Sequence, residues 1–344
     1  MFKKESTGNI SLKNILFVIL LALAWISAVF CYENPDYYSY RLIYEYYTPA
    51  GLSNSNLVDI GFVFLCNFFY KAGFSFEIFR GIYLSIAMFL MYESLRYFRK
   101  DNNFAILLYL IFPFALDVVQ MRFMLSTAIT IYALRFLKER NVRKYVVYVL
   151  IASTQQILSL FYLLLILTLV DKKLLIKIVS VLFIVEIVCF FFSNSIINNI
   201  INKYFRHYTS YLDYTQYANN LAYLYIFMTM VIILYVYTLK DFPDADFSFI
   251  QKIVLLNLLF IPFIFINENF TRLFRGMIFF IYIGMEDSCK MFNLKKDRRI
   301  ISFLFCAFMF YIHLSPHNDF HWNHVFLTLF KNNYFWELIK GEVV

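Results

Sequence analysis

The stretch Asp117-Val118-Val119-Gln120-Met121-Arg122 opens an apolar run, Val119–Leu137, that is long enough to cross a lipid bilayer. An arginine inside such a run is costly, by about 2.5–3.5 kcal/mol at the centre of a membrane helix. A chain keeps an arginine there when the side chain faces a wet cavity and holds an anionic group. The stretch therefore predicts a membrane helix with an anion-binding site at one end.

The composition of the chain is that of a membrane protein. Of its 344 residues, 61% are hydrophobic and only 16% are charged, whereas soluble domains have about 45–50% apolar and about 25% charged residues. The net charge of +8 comes mostly from lysines and arginines in short loops. This pattern predicts contact with anionic membrane lipid and does not indicate nucleic-acid binding.

Apolar runs bounded by charged residues recur along the whole chain. They are Ile15–Cys31, Leu57–Ala72, Ile78–Tyr97, Phe104–Leu116, Val119–Leu137, Tyr145–Val170, Leu174–Phe192, Leu221–Leu239, Ile250–Ile266, Leu273–Met291 and Ile300–Leu314. Tyr145–Val170 is either one long helix or two short helices that meet near Gln155. We predict an all-α, polytopic membrane protein with about 10–12 transmembrane helices, in a single domain over residues 1–344.

Lysines and arginines orient these spans, because short cytoplasmic loops are enriched in them. They predict a basic cytoplasmic loop at about residues 135–144, outer loops at about 32–56 and 194–220, and a polar-aromatic tail at 316–344. Residues 97–103 conflict with this order. Arg96 and Arg99 favour the cytoplasm, but two spans after the first outer loop would leave them outside. Either Leu57–Ala72 does not cross fully, or one element is miscounted.

This topology gathers six polar side chains on the outer side, namely Asp36, Arg41, Arg122, Gln156, Arg272 and Arg275. Guanidinium groups suit pyrophosphate because their planar fork donates two parallel hydrogen bonds. Arg122 with Arg272 or Arg275 can hold a lipid pyrophosphate and stabilise the charge that develops when it leaves. A carboxylate such as Asp36 can accept the proton of an attacking sugar hydroxyl.

Each of these features also has a purely structural interpretation. The tyrosines of Tyr32–Tyr47 are typical of an interfacial aromatic belt, and Arg272 and Arg275 can snorkel to lipid headgroups. Arg122 can form a clamp with Asp117 between helices. Both interpretations remain open at this stage.

Metal and cofactor sites are not indicated. The histidines His313, His317, His321 and His324 have helical spacing, but Pro316 interrupts the pattern and no carboxylate pair completes it. We expect a polar interfacial tail there. The five cysteines form no ligand motif or disulfide framework.

The motifs of the chain resemble those of the EpsG-type, Wzy-like bacterial polysaccharide polymerases. The matching elements are Asp36-Tyr37 with Tyr40, the helix opening Val119–Ala128 with Arg122, the basic loop Arg135–Lys144, the segment Ile151–Gln156, and Arg272 or Arg275 before Gly276–Tyr282. Two positions depart from the family pattern. Gln156 stands where the family has a histidine, and Phe123 follows Arg122 where the family has a glutamine.

The resemblance implies a GT-C-like, nucleotide-independent glycosyltransferase of the bacterial cytoplasmic membrane, without a cofactor or metal. Its substrate would be an oligosaccharide on undecaprenyl pyrophosphate, and its potential partners a chain-length regulator and a flippase. The implied catalytic residues are Asp36, Arg122 and Arg275. The implied substrate-binding residues are Tyr37, Tyr40, Arg41, Gln120, Gln156 and Arg272.

Three other functions share these features. A flippase of lipid-linked sugars also needs a cationic cavity, although its charges should lie along several central helix positions. A non-catalytic membrane subunit would explain the missing histidine at position 156. A ligase that transfers glycan from lipid to another acceptor is chemically close to a polymerase.

Overall fold

The computed structural model describes residues 12–47, 59–98, 103–192, 215–237, 245–265, 268–291, 295–314 and 322–341. These residues are almost entirely helical, and the β pairing found among them is a single bridge between Cys31 and Asn333. The prediction of an all-α chain is confirmed for this part of the protein.

The helices follow the apolar runs of the sequence. In chain order they are α1 (Leu12–Phe30), α2 (Tyr37–Leu42), α3 (Ile60–Lys71), α4 (Phe76–Phe98), α5 (Asn103–Ile111), α6 (Phe114–Val119), α7 (Met121–Lys138), α8 (Val142–Gln155) and α9 (Lys172–Phe192). They continue as α10 (Thr215–Tyr237), α11 (Ala245–Leu256), α12 (Thr271–Met291), α13 (Lys295–Leu314), α14 (Trp322–Val325), α15 (Thr328–Lys331) and α16 (Tyr334–Lys340). A π turn (Ile43–Tyr47) follows α2, and a 3₁₀ helix (Ile157–Leu169) follows α8.

The described helices include two that are long and apolar enough to cross a membrane, Phe76–Phe98 and Ser248–Phe265, and several shorter apolar ones. Large apolar side chains are exposed on the outside of the helices, among them Phe64, Phe89 and Phe227. Soluble monomers seldom expose so much apolar surface. The surface therefore suits contact with lipid.

Helix α3 explains the sidedness conflict. It has 12 residues, which at 1.5 Å per residue is about 18 Å and too short to cross a bilayer core of about 30 Å. Phe62 and Phe69, near its two ends, contact Tyr83 and Phe79 in the N-terminal part of α4. Both ends of α3 therefore lie against the N-terminal part of α4, which favours the interpretation that Leu57–Ala72 does not cross fully.

Helix α4 consequently begins at the end of the molecule that holds Arg122, here called the Arg122 end. It finishes at the opposite end, where the Tyr97 ring lies 5.3 Å from the Arg135 guanidinium and the Tyr97 hydroxyl donates to Glu139 at 3.0 Å. This opposite end is called the Arg135 end. Arg96, in the last turn of α4, thus lies at the end that holds the basic loop, as its charge requires.

The segment 145–170 forms two helices rather than one long helix. Helix α8 ends at Gln155, Gln156 is extended, and the 3₁₀ helix turns back so that the Tyr145 hydroxyl donates to the Tyr162 carbonyl at 2.6 Å. The break therefore lies at the Arg122 end of the molecule, where Gln156 is held.

The first of the two predicted outer loops differs from the structure. Part of the outer loop at 32–56 is helical, because Tyr37, Tyr40 and Tyr44 recur at helical spacing and are buried together. Most of the loop at 194–220 lies outside the described residues. These three tyrosines are therefore not part of an interfacial aromatic belt.

The C-terminal segment is not a free interfacial tail in its described part. Residues 322–341 form three short helices, and the last two, α15 and α16, pack on α1. There Tyr32 N–H donates to the Asn332 carbonyl at 2.8 Å, and Asn333 Nδ2 donates to the Ser27 carbonyl at 3.1 Å. His313 belongs to α13 and its Nε2 lies 2.5 Å from the Tyr225 hydroxyl. His317 and His321 lie outside the described residues.

Candidate functional site

Arg122 lies in the first turn of α7, at a break in the chain. Gln120, between α6 and α7, has φ −92° and ψ 60°, so the two helices are not continuous. The Arg122 Nη1 donates to Asp59 Oδ2 at 3.1 Å, and its guanidinium lies 5.5 Å from the ring centres of Tyr40 and Phe62. The alternative interpretation of a clamp between Asp117 and Arg122 is therefore wrong, because Arg122 pairs with the carboxylate that precedes α3.

Asp59 joins Arg122 to the break between α8 and the 3₁₀ helix. Its second oxygen, Oδ1, accepts a hydrogen bond from the backbone N–H of Ile157 at 3.0 Å. Burial raises the pKa of Asp59 above its ordinary value, although Arg122 and the Ile157 N–H favour the charged form. One carboxylate thus fixes both the guanidinium and the chain beside Gln156.

Gly61 allows the start of α3 to approach the end of α8. A Cβ there would lie 2.2 Å from Thr154 Oγ1 and 2.4 Å from Gln155 Nε2. Gln155 is fixed in turn by Tyr83, whose hydroxyl donates to Gln155 Oε1 at 2.9 Å. Helix α3 can therefore lie directly against the end of α8.

Arg275 forms a second, fully buried pair. Its Nε donates to Asp117 Oδ1 at 3.1 Å, and both side chains are only 3% exposed. Its Nη2 donates to Gln120, and the Tyr109 hydroxyl donates to the other oxygen of Asp117 at 3.0 Å. The snorkelling interpretation is wrong for Arg275, because its guanidinium points into the protein.

The close approach of α12 to the 3₁₀ helix positions Arg275. Tyr162 donates to the Leu273 carbonyl at 3.2 Å, and a Cβ on Gly276 would lie 2.1 Å from the Tyr162 hydroxyl. Gly276 therefore allows the first turns of α12 to reach the site.

Arg272 and Asp36 complete the cluster. Arg272 lies one helical turn before Arg275 and interacts electrostatically with Asp36, Arg122 and Arg275. The side chains of Arg272 and Asp36 have no hydrogen bond or close ion pair with the residues that the structure describes, whereas the Asp36 carbonyl accepts from Tyr40 N–H at 3.0 Å. Burial raises the pKa of Asp36 above its ordinary 3.8, and Arg272, Arg122 and Arg275 offset part of that rise.

The structure brings most of the predicted site residues together. Asp36, Tyr40, Gln120, Arg122, Arg272 and Arg275 belong to the cluster, and the buried Gln156 precedes the Ile157 N–H that binds Asp59. Tyr37 and Arg41 turn elsewhere, because Tyr37 donates to Glu77 at 3.1 Å and Arg41 donates to Glu45 at 2.8 Å.

A sequence model of the EpsG family matches residues 14–327, nearly the whole chain. The chain belongs to the EpsG family. Comparison with curated proteins and with solved structures finds no match. This family match confirms the resemblance seen in the motifs. It also associates the chain with polysaccharide biosynthesis and with the membrane.

The three arginines of the cluster in this EpsG-family chain differ in whether an acidic side chain pairs with them. Asp59 and Asp117 already neutralise Arg122 and Arg275, whereas Arg272 has no such partner among the described residues. In addition, Nε of Arg122 is buried and lacks a hydrogen-bond partner in the described structure. A buried donor without a partner costs about 1–3 kcal/mol. An anionic ligand would satisfy both groups.

Proposed function

We propose that this EpsG-family protein is a polysaccharide repeat-unit polymerase. It transfers a glycan chain from undecaprenyl pyrophosphate to a hydroxyl of an incoming lipid-linked repeat unit, at the outer face of the bacterial cytoplasmic membrane. The observation that carries the proposal is the cluster of Arg272, Arg122 and Arg275 around Asp36 at one end of a helical membrane-family protein.

In this proposal the pyrophosphate binds between Arg272 and Arg122. Arg272 supplies a guanidinium that no described acid holds in a close ion pair, and Arg122 supplies its unpartnered Nε. Charge-assisted hydrogen bonds of this kind are about twice as strong as neutral ones. Arg275 is held by Asp117 and Gln120, so its main contribution is a fixed positive charge close to the ligand.

Asp36 is the proposed general base. The acceptor hydroxyl oxygen attacks the anomeric carbon of the donor sugar, and the bond from that carbon to the pyrophosphate oxygen breaks. The hydroxyl proton passes to Asp36, and the leaving pyrophosphate keeps the electron pair beside the arginines. The raised pKa of Asp36 suits this role, because a base acts best when its pKa is close to the working pH.

The membrane arrangement is part of the same proposal. We place the Arg122 end outside and the Arg135 end in the cytoplasm, because lysines and arginines concentrate in cytoplasmic loops. We also propose about 10–12 membrane crossings and a GT-C-like architecture. The proposed partners are a chain-length regulator and a flippase.

The first test replaces Arg272 with alanine and with lysine in the host strain. We expect Arg272→Ala to reduce polymerisation on the order of 10²–10³-fold, by analogy with loss of one transition-state donor. Arg272→Lys should recover part of the activity. The exposed Arg96, which pairs with Glu93 at the Arg135 end, provides the matched control Arg96→Ala.

The readout is the length distribution of the surface polysaccharide on a gel, with protein levels matched by immunoblot. Single repeat units displayed on the outer surface support a polymerase. Retention of the lipid-linked units on the cytoplasmic side would instead support a flippase. Polymer from purified protein and lipid-linked units alone excludes a non-catalytic subunit.

A further inference from the structure

A groove of about 570 Å³ runs between α1, α4 and α16, outside the arginine cluster. Its long wall is formed by Ile78, Ile82, Ile86 and Phe89 of α4, which follow one another at helical spacing and are all exposed. Trp25 of α1 donates to Ser85 across the groove at 2.8 Å. The groove therefore presents an apolar channel to the surrounding lipid.

Arg80 connects α1 and α4 at the floor of the groove. The Arg80 guanidinium is buried there and donates to the backbone carbonyls of Ala28, Val29 and Cys31 at 3.1, 3.1 and 2.7 Å. These carbonyls are the last of α1 and the residue after it, where no helical donors remain. Arg80 thus fixes the crossing of α1 and α4, so the groove exists before any ligand binds.

The groove has a polar end and an apolar end. Tyr37, Glu77 and Tyr334 lie at the polar end, and Phe89 lies at the apolar end. From Glu77 to Phe89 the helical rise gives about 18 Å, close to the hydrocarbon thickness of one leaflet, about 15 Å. A hydrocarbon chain in the groove would therefore lie along the membrane normal with its head at the Arg122 end.

Only a short turn separates the polar end from the arginine cluster. Cys31 and Tyr37, which flank this turn, both line the groove. Asp36, the residue before Tyr37, interacts with Arg272, Arg122 and Arg275 on the other side. A head group that leaves the groove can therefore reach the arginines by passing over residues 32–36.

We propose that this groove binds the part of the polyprenyl chain next to the head group of the lipid-linked substrate, an inference that rests on the proposed function. Continuity with the arginine cluster favours this occupant over a membrane phospholipid. Tyr37 lines the polar end of the groove, and Asp36, directly before it, interacts with the three arginines. Glu77 at the same end accepts from Tyr37 at 3.1 Å and lies 4.0 Å from the Arg41 guanidinium, so its charge is already partly compensated.

The test uses a photoreactive undecaprenyl phosphate that carries a diazirine in its chain. The full-length protein is reconstituted in nanodiscs of phosphatidylethanolamine and phosphatidylglycerol, and labelled peptides are mapped by mass spectrometry. We expect labelling within residues 78–89 and competition by unlabelled undecaprenyl phosphate. Ile82→Trp and, separately, Ile86→Phe should reduce that labelling about tenfold, a loss of about 1.4 kcal/mol.

The matched control is Val147→Trp, an exposed apolar position on α8 that does not line the groove. It should keep wild-type labelling. Labelling outside the groove, or equal competition by added phosphatidylglycerol, would overturn the proposal. Size-exclusion profiles check that each variant folds, and the two groove substitutions are independent of each other.

The labelling requires no glycan transfer, so the two proposals fail separately. A labelled groove in a protein that makes no polymer would contradict the polymerase function alone. Polymer synthesis by a protein whose groove stays unlabelled would contradict the groove assignment alone.

Discussion

The Arg122 Nη1 lies 3.1 Å from Asp59 Oδ2, and the other oxygen of Asp59 accepts the backbone N–H of Ile157 at 3.0 Å. A single carboxylate thus connects the start of α7, the start of α3 and the break after α8. Arg122 is consequently held in one orientation by a residue far from it in the sequence. Its Nε is buried and has no hydrogen-bond partner in the described structure, and the contact with Asp59 fixes the direction in which this N–H points.

Replacement of Asp59 should impair the site more than it impairs the fold. Asp59→Ala releases both Arg122 and the Ile157 N–H, and we expect a loss of stability of about 1–3 kcal/mol for the groups left without partners. Asp59→Asn keeps an oxygen for Ile157 and should retain more activity. Thermal unfolding of the purified variants and the length distribution of the polymer measure the two effects. Wild-type polymer from Asp59→Ala would show that Arg122 needs no such orientation.

The buried pair Arg275–Asp117 should be the more sensitive of the two pairs. Both side chains are 3% exposed, and removal of one partner from a buried pair costs about 3–5 kcal/mol. We expect Arg275→Met and Asp117→Leu to be strongly destabilised singly. The double variant should be more stable than the sum of the two losses predicts, because neither charge is then left alone. A double-mutant cycle by denaturant unfolding measures the coupling, and additive losses would contradict it.

Much of the cluster was predictable because charged residues stand out in an apolar chain. Arg122, Arg272, Arg275 and Asp36 were all identified from their position beside membrane spans. The partners of the arginines were not predictable. Arg275 and Asp117 are 158 positions apart, and Arg122 and Asp59 are 63 apart, so only tertiary packing brings them together.

The clamp between Asp117 and Arg122 illustrates why short sequence distance misleads. Five residues along a helix correspond to a rotation of about 140° beyond a full turn, so the two side chains would not face each other. The chain is in addition broken at Gln120. In the same way, the apolar run at Leu57–Ala72 has the composition of a span, but its helix, Ile60–Lys71, has only 12 residues and is shorter than a bilayer core.

Enlargement of Gly276 should displace Arg275 without any change of charge. A Cβ at this position would lie 2.1 Å from the Tyr162 hydroxyl and 3.1 Å from Tyr162 Cζ. We expect Gly276→Ala to lower stability by about 1–3 kcal/mol, as overpacking commonly does, and to reduce polymerisation. In the double variant, Tyr162→Phe removes the hydroxyl and should restore part of the stability and part of the polymerisation. If the second substitution gives no recovery, the contact with Tyr162 is not the cause.

The rate of polymerisation should depend on the ionisation of Asp36. Its pKa is raised above 3.8 by burial, so the active carboxylate is lost as the pH falls through that raised value, and the acidic limb of the profile should lie above pH 3.8. Because Arg272 lowers this pKa, Arg272→Gln should move the limb to higher pH as well as reduce the rate. Initial rates of reconstituted protein between pH 4 and 8 give the position of the limb. If the acidic limb stays at the same pH in Arg272→Gln, or is unchanged in Asp36→Asn, the titrating group is not Asp36.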